Sequence, residues 1–258
     1  MAEVLTAEDV PLAFDEAAPS YDLMVGLNPG YHRHLASAAS ALLSRLAGPT
    51  ARLLDLGCGS GASTAALVQA VRAGDHTVDI LGVDASVGML AQAERKDWPA
   101  GVRFHPRRAQ DLGTLRDELG LAGRLDGVLA AYLFRNVEAG ERDEVLKEVG
   151  DLLRPGGVLV VQEYSVAGTR LASWIWSSVC WSVVIPLSWL TSRRTRLYRY
   201  LWRSVRQFDS VPEFADRLHA AGFLDVEVRT VSGWQSGILH TFRAVRAPEE
   251  ADEPVEVE

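Results

Sequence analysis

The chain has 258 residues, 48% of them hydrophobic, with a formal net charge of −8 and a pI near 5.3. That balance excludes a general nucleic-acid binder, which needs a basic face, and the apolar content is ample for one α/β core. Cys58 and Cys180 make neither a disulfide framework nor a metal-ligand cluster, so a reducing cytoplasm is the expected setting and no metal is expected.

Residues 1–13 lack a firm pattern and read as a flexible lead-in, and MAEVLTAEDV has neither the basic start nor the apolar core of a secretory signal. Phe14 to His34 mixes apolar residues at helical spacing with Pro19, Pro29 and Gly30, which predicts two helices joined by a loop, the second over Tyr31 to Leu46. Arg52-Leu-Leu-Asp55-Leu then reads as a strand buried on both faces. Gly57, Gly59 and Gly61 turn it into a helix over Ala62 to Val71, whose free N–H groups face the gap. A carboxylate at the end of that strand, Asp55, suits a positively charged or N–H-rich ligand better than a pyrophosphate. Thr77 to Val83 is a second strand ending in Asp84, where such folds place a ribose-binding carboxylate.

At this point DLGCGSG and GVDAS resemble the first two motifs of the class I methyltransferases that use S-adenosylmethionine. The resemblance implies that Asp55, Gly57, Gly59 and Gly61 face the methionine end, that Asp84 takes the ribose hydroxyls beside Ala85, and that Ala131 completes the wall. The N-terminal stretch narrows it further. Phe14, Ala18, Tyr21, Asp22, Gly30, His32 and Arg33 fall on a pattern of the ubiquinone and menaquinone biosynthesis C-methyltransferases, so Tyr21 is expected to close over the cofactor. His32 is the candidate general base, against the plainer reading that it orders its loop.

Ser86 caps a helix through about Lys96, and Val102 to His105 is a third strand. The family places an acid and an alanine next to read adenine, but here Arg108 precedes Ala109, so their backbone groups are the expected contacts. Asp111 reads as a cap or a solvated carboxylate. Leu125 to Ala131 is the fourth strand, and the loop after it, Tyr132-Leu-Phe-Arg-Asn-Val137, resembles the family signature F-G-L-R-N-V. LRPGGVLVVQEYS resembles L-K-P-G-G-x-L-x-x-x-E-F-S, with Arg154 to Gly157 a turn between helix 141–153 and the fifth strand, Val158 to Glu163. Arg135 and Asn136 are expected to favour a phenolate, since arginine holds its proton. Glu163 is expected at the acceptor or in a salt bridge with Arg135, with Tyr132 and Phe134 as further acceptor contacts.

Leu171 to Leu190 carries no charge over twenty residues, the length of a membrane span. The strands expected at Phe223 to Val231 and Ile238 to Val245 must rejoin the same sheet, which argues against spanning. The readings that stand are a lid on an anionic membrane surface, helped by the basic run after it, an inward-facing hairpin and a homodimer contact. Trp181 and Tyr200 are expected at the acceptor. YRYLWRSV resembles Y-x-Y-L-P-E-S-I with Trp202 and Arg203 as departures, and ILH at 238–240 resembles the family's last strand. Val211 to Ala221 is a helix stopped by Gly222, and residues 248–258 are an acidic tail too polar to fold.

The expected whole is a doubly wound, seven-stranded, mostly parallel α/β sheet in one domain over 14–247, with a helical lid inserted at about 165–208. The resemblance implies methylation of a ring carbon of a prenylated quinol such as demethylmenaquinol, with S-adenosylhomocysteine as the spent cofactor and peripheral membrane association on the cytoplasmic side. Two alternatives stay open: another lipophilic phenol, polyketide or lipid as oxygen or carbon acceptor, and a membrane-associated cofactor-binding protein without turnover.

Overall fold

The computed structural model describes residues 9–248, except 27, 29, 47, 75, 76 and 192–194, and at 19–21, 23–25, 190 and 191 it describes the backbone alone. The side chain of Tyr21, Arg193, Arg194 and the tail from 249 thus lie outside the described residues.

Five strands, β1 (Thr50–Leu56), β2 (Thr77–Asp84), β3 (Val102–Pro106), β4 (Leu125–Ala131) and β5 (Leu153–Tyr164), pair in parallel. β7 (Leu239–Arg246) runs antiparallel between β5 and β6 (Phe223–Thr230), giving a seven-stranded sheet in the order β3-β2-β1-β4-β5-β7-β6. The mostly parallel, doubly wound sheet is the one expected from the sequence.

Successive side chains of β1 go to opposite layers, as strand geometry requires. Leu53 packs with Leu35, Leu42 and Leu67 under α2 (Tyr31–Leu43) and α3 (Ala62–Arg72). Leu54 and Leu56 pack with Leu112, Leu146 and Phe214 under α5 (Leu112–Leu119), α6 (Arg142–Leu152) and α10 (Val211–Ala220). α5 has no counterpart in the sequence reading; it is only two turns long, with Leu112 and Leu115 buried.

Other elements shift at their ends. α1 (Val10–Gly26) starts inside the stretch read as a lead-in, since Val10 is buried against Tyr200, and its backbone runs on through Pro19. The break falls instead before Gly30, which takes φ +91° at the head of α2. β5 starts at Leu153, and the Arg154–Gly157 turn bulges from it where the register jumps from Leu125↔Leu153 to Gly127↔Val158. α4 (Val87–Glu94) is capped by Ser86, whose Oγ accepts the Met89 N–H at 3.1 Å.

Between β5 and α10 the chain forms α7 (Arg170–Val179), a π-turn over Cys180–Val184, α8 (Ile185–Thr191) and α9 (Thr195–Gln207). The stretch from Arg170 to Trp189 is long and apolar enough to cross a membrane. Because β7 pairs with β5, the chain returns to the sheet it left. The strand order reverses at β1, between β2 and β4, so a ligand crevice is expected beyond the carboxyl ends of β1 and β4.

Candidate active site

The turn after β1 is shaped by its glycines. Gly57 and Gly61 take φ +76° and +89°, where a β-carbon would be strained, and one at Gly61 would stand 2.8 Å from the Trp98 ring. The Gly57 and Cys58 N–H groups donate to the Val83 carbonyl at 2.7 and 3.1 Å, binding the turn to the end of β2.

Asp84 is central to that junction. One of its carboxylate oxygens accepts the Gly59 N–H and the other the Ser86 N–H, each at 2.8 Å, while burial pushes its pKa up. Each oxygen keeps a further lone pair for a ligand hydroxyl. Asp55 behaves differently from the expectation. It is fully buried, its Oδ2 accepts the Ser63 and Thr64 hydroxyls at 2.8 and 2.5 Å, and it lines neither cavity beside Asp84, so it fastens the head of α3 from behind the crevice wall. Burial outweighs those hydrogen bonds and raises its pKa to about 6.

α1 lies across the crevice and is tied to it at both ends. Asp15 accepts the Gly88 N–H at 2.8 Å and the Ser86 hydroxyl, which puts a carboxylate at the positive head of α4. Asp22 accepts from the Ser60 hydroxyl and from Lys96 Nζ at 2.7 Å, and Lys96 also donates to the Ser60 carbonyl.

Three cavities meet here. One lies between Asp84, Ala85, Arg108, Ala109 and the start of α1 at Val10, Pro11 and Phe14. A second lies on the other side of Asp84, against the glycine turn, Ala62, Ser63 and Ala131. Both are lined by Phe14, Gly57, Asp84, Leu133 and Asn136, so they form one cleft bent around Asp84. The Asn136 Nδ2 donates to the Tyr132 carbonyl at 3.2 Å, and its buried Oδ1 has no partner among the described residues. A strand-end carboxylate, a glycine turn, a polar wall for an amino acid on one side and an apolar slot for a base on the other fit S-adenosylmethionine.

The third cavity is reached across Tyr31, Tyr132 and Arg135, which line it and the second cavity alike. Its walls are Trp176, Val179, Cys180, Leu187, Leu201 and Trp202 of the inserted helices. Polar atoms gather at its inner end. The Tyr164 hydroxyl accepts N–H groups from Asn28 and Gln235 at 3.3 and 3.0 Å, and Gln235 Oε1 is buried without a partner among the described residues. Tyr31, Tyr132 and Tyr164 stack in sequence with ring centroids 5.4 and 5.2 Å apart. Burial raises the pKa of the Tyr132 and Tyr164 phenols, which keeps them neutral. Tyr132 takes φ +60°, which is uncommon for a bulky residue and occurs where function over-determines the backbone.

Arg135 closes the junction. Its Nη1 reaches the fully buried Glu163 at 2.6 Å, its backbone N–H donates to the second Glu163 oxygen at 3.2 Å, and its guanidinium lies 5.6 and 5.8 Å from the Tyr132 and Tyr164 rings. The turn carrying it is held from behind by Arg142, whose Nε donates to the Phe134 and Val137 carbonyls and whose Nη1 pairs with Asp209 at 2.9 Å.

Of the sequence-predicted residues, Gly57, Gly59, Asp84, Ala85, Arg108, Ala109, Ala131, Tyr132, Arg135 and Asn136 line this connected crevice, and Gly61 shapes its turn. Others are not brought there. His32 is exposed on α2, edge-on to Tyr31, and the buried His34 beside it, its pKa lowered by burial, faces Gly30. Phe134 points into the opposite core layer against Phe214. Glu163 lies behind Arg135, where it positions the guanidinium. Trp181 is half exposed outside Trp202, and Tyr200 packs on Val10, so Trp202 and Tyr198 line the chamber in their place. Asn28, Tyr31, Tyr164 and Gln235 were not singled out. They come from three distant parts of the chain, and only the Tyr in QEYS, where the family pattern has Phe, gave a local sign.

The sequence model of the ubiE/COQ5 methyltransferase family matches residues 2–246. The chain is 30% identical over 241 residues to a demethylmenaquinone methyltransferase of Beutenbergia cavernae, covering 92% of this chain and 90% of that one. It is 31% identical over 242 residues to a ubiquinone/menaquinone biosynthesis C-methyltransferase of Syntrophotalea carbinolica, covering 93% and 95%. Among solved structures, a 1,6-didemethyltoxoflavin-N1-methyltransferase of Burkholderia thailandensis with bound S-adenosylhomocysteine shares the fold, at TM-score 0.60, 20% identity and coverage of 96% and 93%.

Proposed function

The chain belongs to the ubiE/COQ5 methyltransferase family, and from that premise we propose that it methylates a ring carbon of a lipophilic quinol of the demethylmenaquinol class, with S-adenosylmethionine as donor, at the cytoplasmic face of a membrane. The observation that carries the reading is the apolar chamber that meets the cofactor cleft at Tyr31, Tyr132 and Arg135. A prenylated ring fits a chamber walled by tryptophan, valine and leucine and polar only at its inner end.

When bound, S-adenosylmethionine supplies an electrophilic methyl group on a sulfonium and is spent as S-adenosylhomocysteine. Asp84 holds the ribose hydroxyls, and the glycine turn with Asn136 lines the methionine end. Arg135, permanently charged and aimed by Glu163, stabilises the phenolate of the acceptor, which pushes electron density to the ortho ring carbon. Tyr164, Asn28 and Gln235 receive the acceptor's second oxygen. Tyr132 and the inserted helices would hold the acceptor ring against the cofactor cleft. The acceptor gives up its phenol proton before transfer and its ring proton after it. No His, Asp, Glu or Lys is among the described residues lining the chamber, so both protons leave to water at the junction. One observation favours a different lipophilic phenol as acceptor: Tyr132, Tyr164 and Trp202 all stand on the chamber where the family pattern has Phe, Phe and Pro.

The test is methyl transfer from labelled donor to demethylmenaquinol, set against a panel of lipophilic phenols, for the wild type and Arg135→Gln. Turnover on the quinol, reduced about 10³-fold in the variant with donor affinity unchanged, is the expected result. A phenol preferred over the quinol would replace the acceptor, and an Arg135→Gln enzyme with full turnover would remove the proposed phenolate role.

A further inference from the structure

The insertion between β5 and α10 differs in charge from the rest of the molecule. Between Tyr164 and Phe208 there are seven arginines and no acidic residue, in a chain whose net charge is −8. α9 sets Arg196, Arg199, Arg203 and Arg206 at spacings of three and four, which is one stripe of a helix, while Leu197, Tyr198 and Val205 are buried on the other side. Beside that stripe, the uncharged helix from α7 through α8 turns Leu171, Trp174, Trp181 and Trp189 outward, with 66, 68, 49 and 59% of each exposed. The two stripes are joined: the Arg199 guanidinium lies 5.8 Å over the Trp181 ring and that of Arg206 5.1 Å over Trp202.

We infer that this face docks on the surface of an anionic lipid bilayer, with the outer tryptophans in the headgroup region and the α9 arginines against the lipid phosphates. Exposed apolar patches of this kind mark interaction sites, and tryptophan favours boundaries that are apolar on one side and wet on the other. A second copy of the chain is the poorer fit. A two-fold interface would bring the arginine stripe near its own image, and the insertion holds no carboxylate to neutralise it. A transmembrane path is closed because β7 returns to β5. The inner sides of the same helices, through Trp176, Val179 and Leu187, wall the acceptor chamber, and Val183 and Trp234 stand half exposed at its mouth. A lipid-borne acceptor would pass from bilayer to chamber without crossing water. That last step rests on the proposed function, whereas docking itself does not.

The experiment is sedimentation of the full chain with phosphatidylcholine vesicles that contain or lack phosphatidylglycerol, with tryptophan quenching by bromine-labelled acyl chains. The wild type is expected to sediment with the anionic vesicles, less so at high salt, and to be quenched. Arg199→Gln with Arg206→Gln should lower partitioning about 25-fold, at roughly 1 kcal/mol per arginine. Trp174→Ser with Trp189→Ser should lose quenching while keeping donor affinity and melting temperature. A wild type that stays in the supernatant with both vesicles, or a tryptophan double variant that binds and is quenched like the wild type, overturns the inference. So does a wild-type dimer in light scattering that the tryptophan variant dissolves, since a second copy would then cover the face. Turnover on a short-chain acceptor without vesicles reads the chemistry separately, so its loss would sink the methyl transfer and leave the docking face standing.

Discussion

The two halves of the crevice are built from different materials. The cleft around Asp84 is built from one strand-end carboxylate, the Gly59 and Ser86 N–H groups that fix it, and glycines in left-handed conformations, all held at the ends of the strands. The acceptor side is built from side chains of the α1–α2 loop, β5, the inserted helices and the β6–β7 turn, brought together only by tertiary packing. The first half depends on a short stretch of chain and the second on many distant ones. A single change should therefore do most damage on the cofactor side and least in the chamber.

The sharpest test of that difference is Asp84→Ala. The variant loses the acceptor of the Gly59 and Ser86 N–H bonds and the expected ribose contact. At about 1.5–3 kcal/mol per charge-assisted hydrogen bond, donor affinity by calorimetry should fall roughly 10²–10³-fold. Quenching of the inserted helices by a bound quinone should be unchanged. A variant that bound the donor normally would remove the carboxylate from the site and dissolve the contrast.

A somewhat smaller effect is expected at Asp55, and it should appear as pH dependence. Its folded-state pKa is raised, from 3.8 to about 6, by burial. A carboxyl with a raised folded pKa contributes stability that is full below about pH 4 and is lost as pH rises through 6. Asp55→Asn, still able to accept from Ser63 and Thr64, should lack this loss. The stability difference between wild type and variant, from urea unfolding, should thus shift in favour of the variant by up to about 3 kcal/mol between pH 4 and 7. A difference that stays flat over that range would mean that the carboxylate is compensated by a partner the geometry does not reveal.

The same contrast governs what could be read from the sequence. The cofactor side was legible because its signals are local: a continuous apolar strand, glycines where a β-carbon cannot go, and Asp84 at the next strand end. Arg135 and Asn136 were legible through their motif. The chamber was not, because helical phase decides it. Tyr198, Leu201 and Val205 share a face at spacings of three and four, and Tyr200 falls off it onto Val10 of α1. Trp181, on the π-turn over Cys180–Val184, stands outside and edge-on to Trp202, which lines the chamber from α9. The ties of α1 to the crevice, Asp15 to Ser86 and Asp22 to Lys96, span more than seventy residues and carry no local mark.

The smallest effect belongs to the chamber's own polar end. Tyr164→Phe removes a hydroxyl that accepts from Asn28 and Gln235, and leaves the ring stacked between Tyr132 and Trp176. The two amide donors then face the chamber unpaired, at a cost of about 1–3 kcal/mol that an acceptor oxygen can offset by taking their N–H groups itself. The variant should therefore lose a little thermal stability when empty, with a melting temperature lower by a few degrees. Its KM for the quinol should move less than about tenfold and its kcat should stay within about threefold of the wild type, because Arg135 and the cofactor cleft are untouched. If turnover collapsed instead, as far as in Arg135→Gln, the Tyr164 hydroxyl would belong to the proton path, and the chamber would be as chemically specialised as the cleft it opens on.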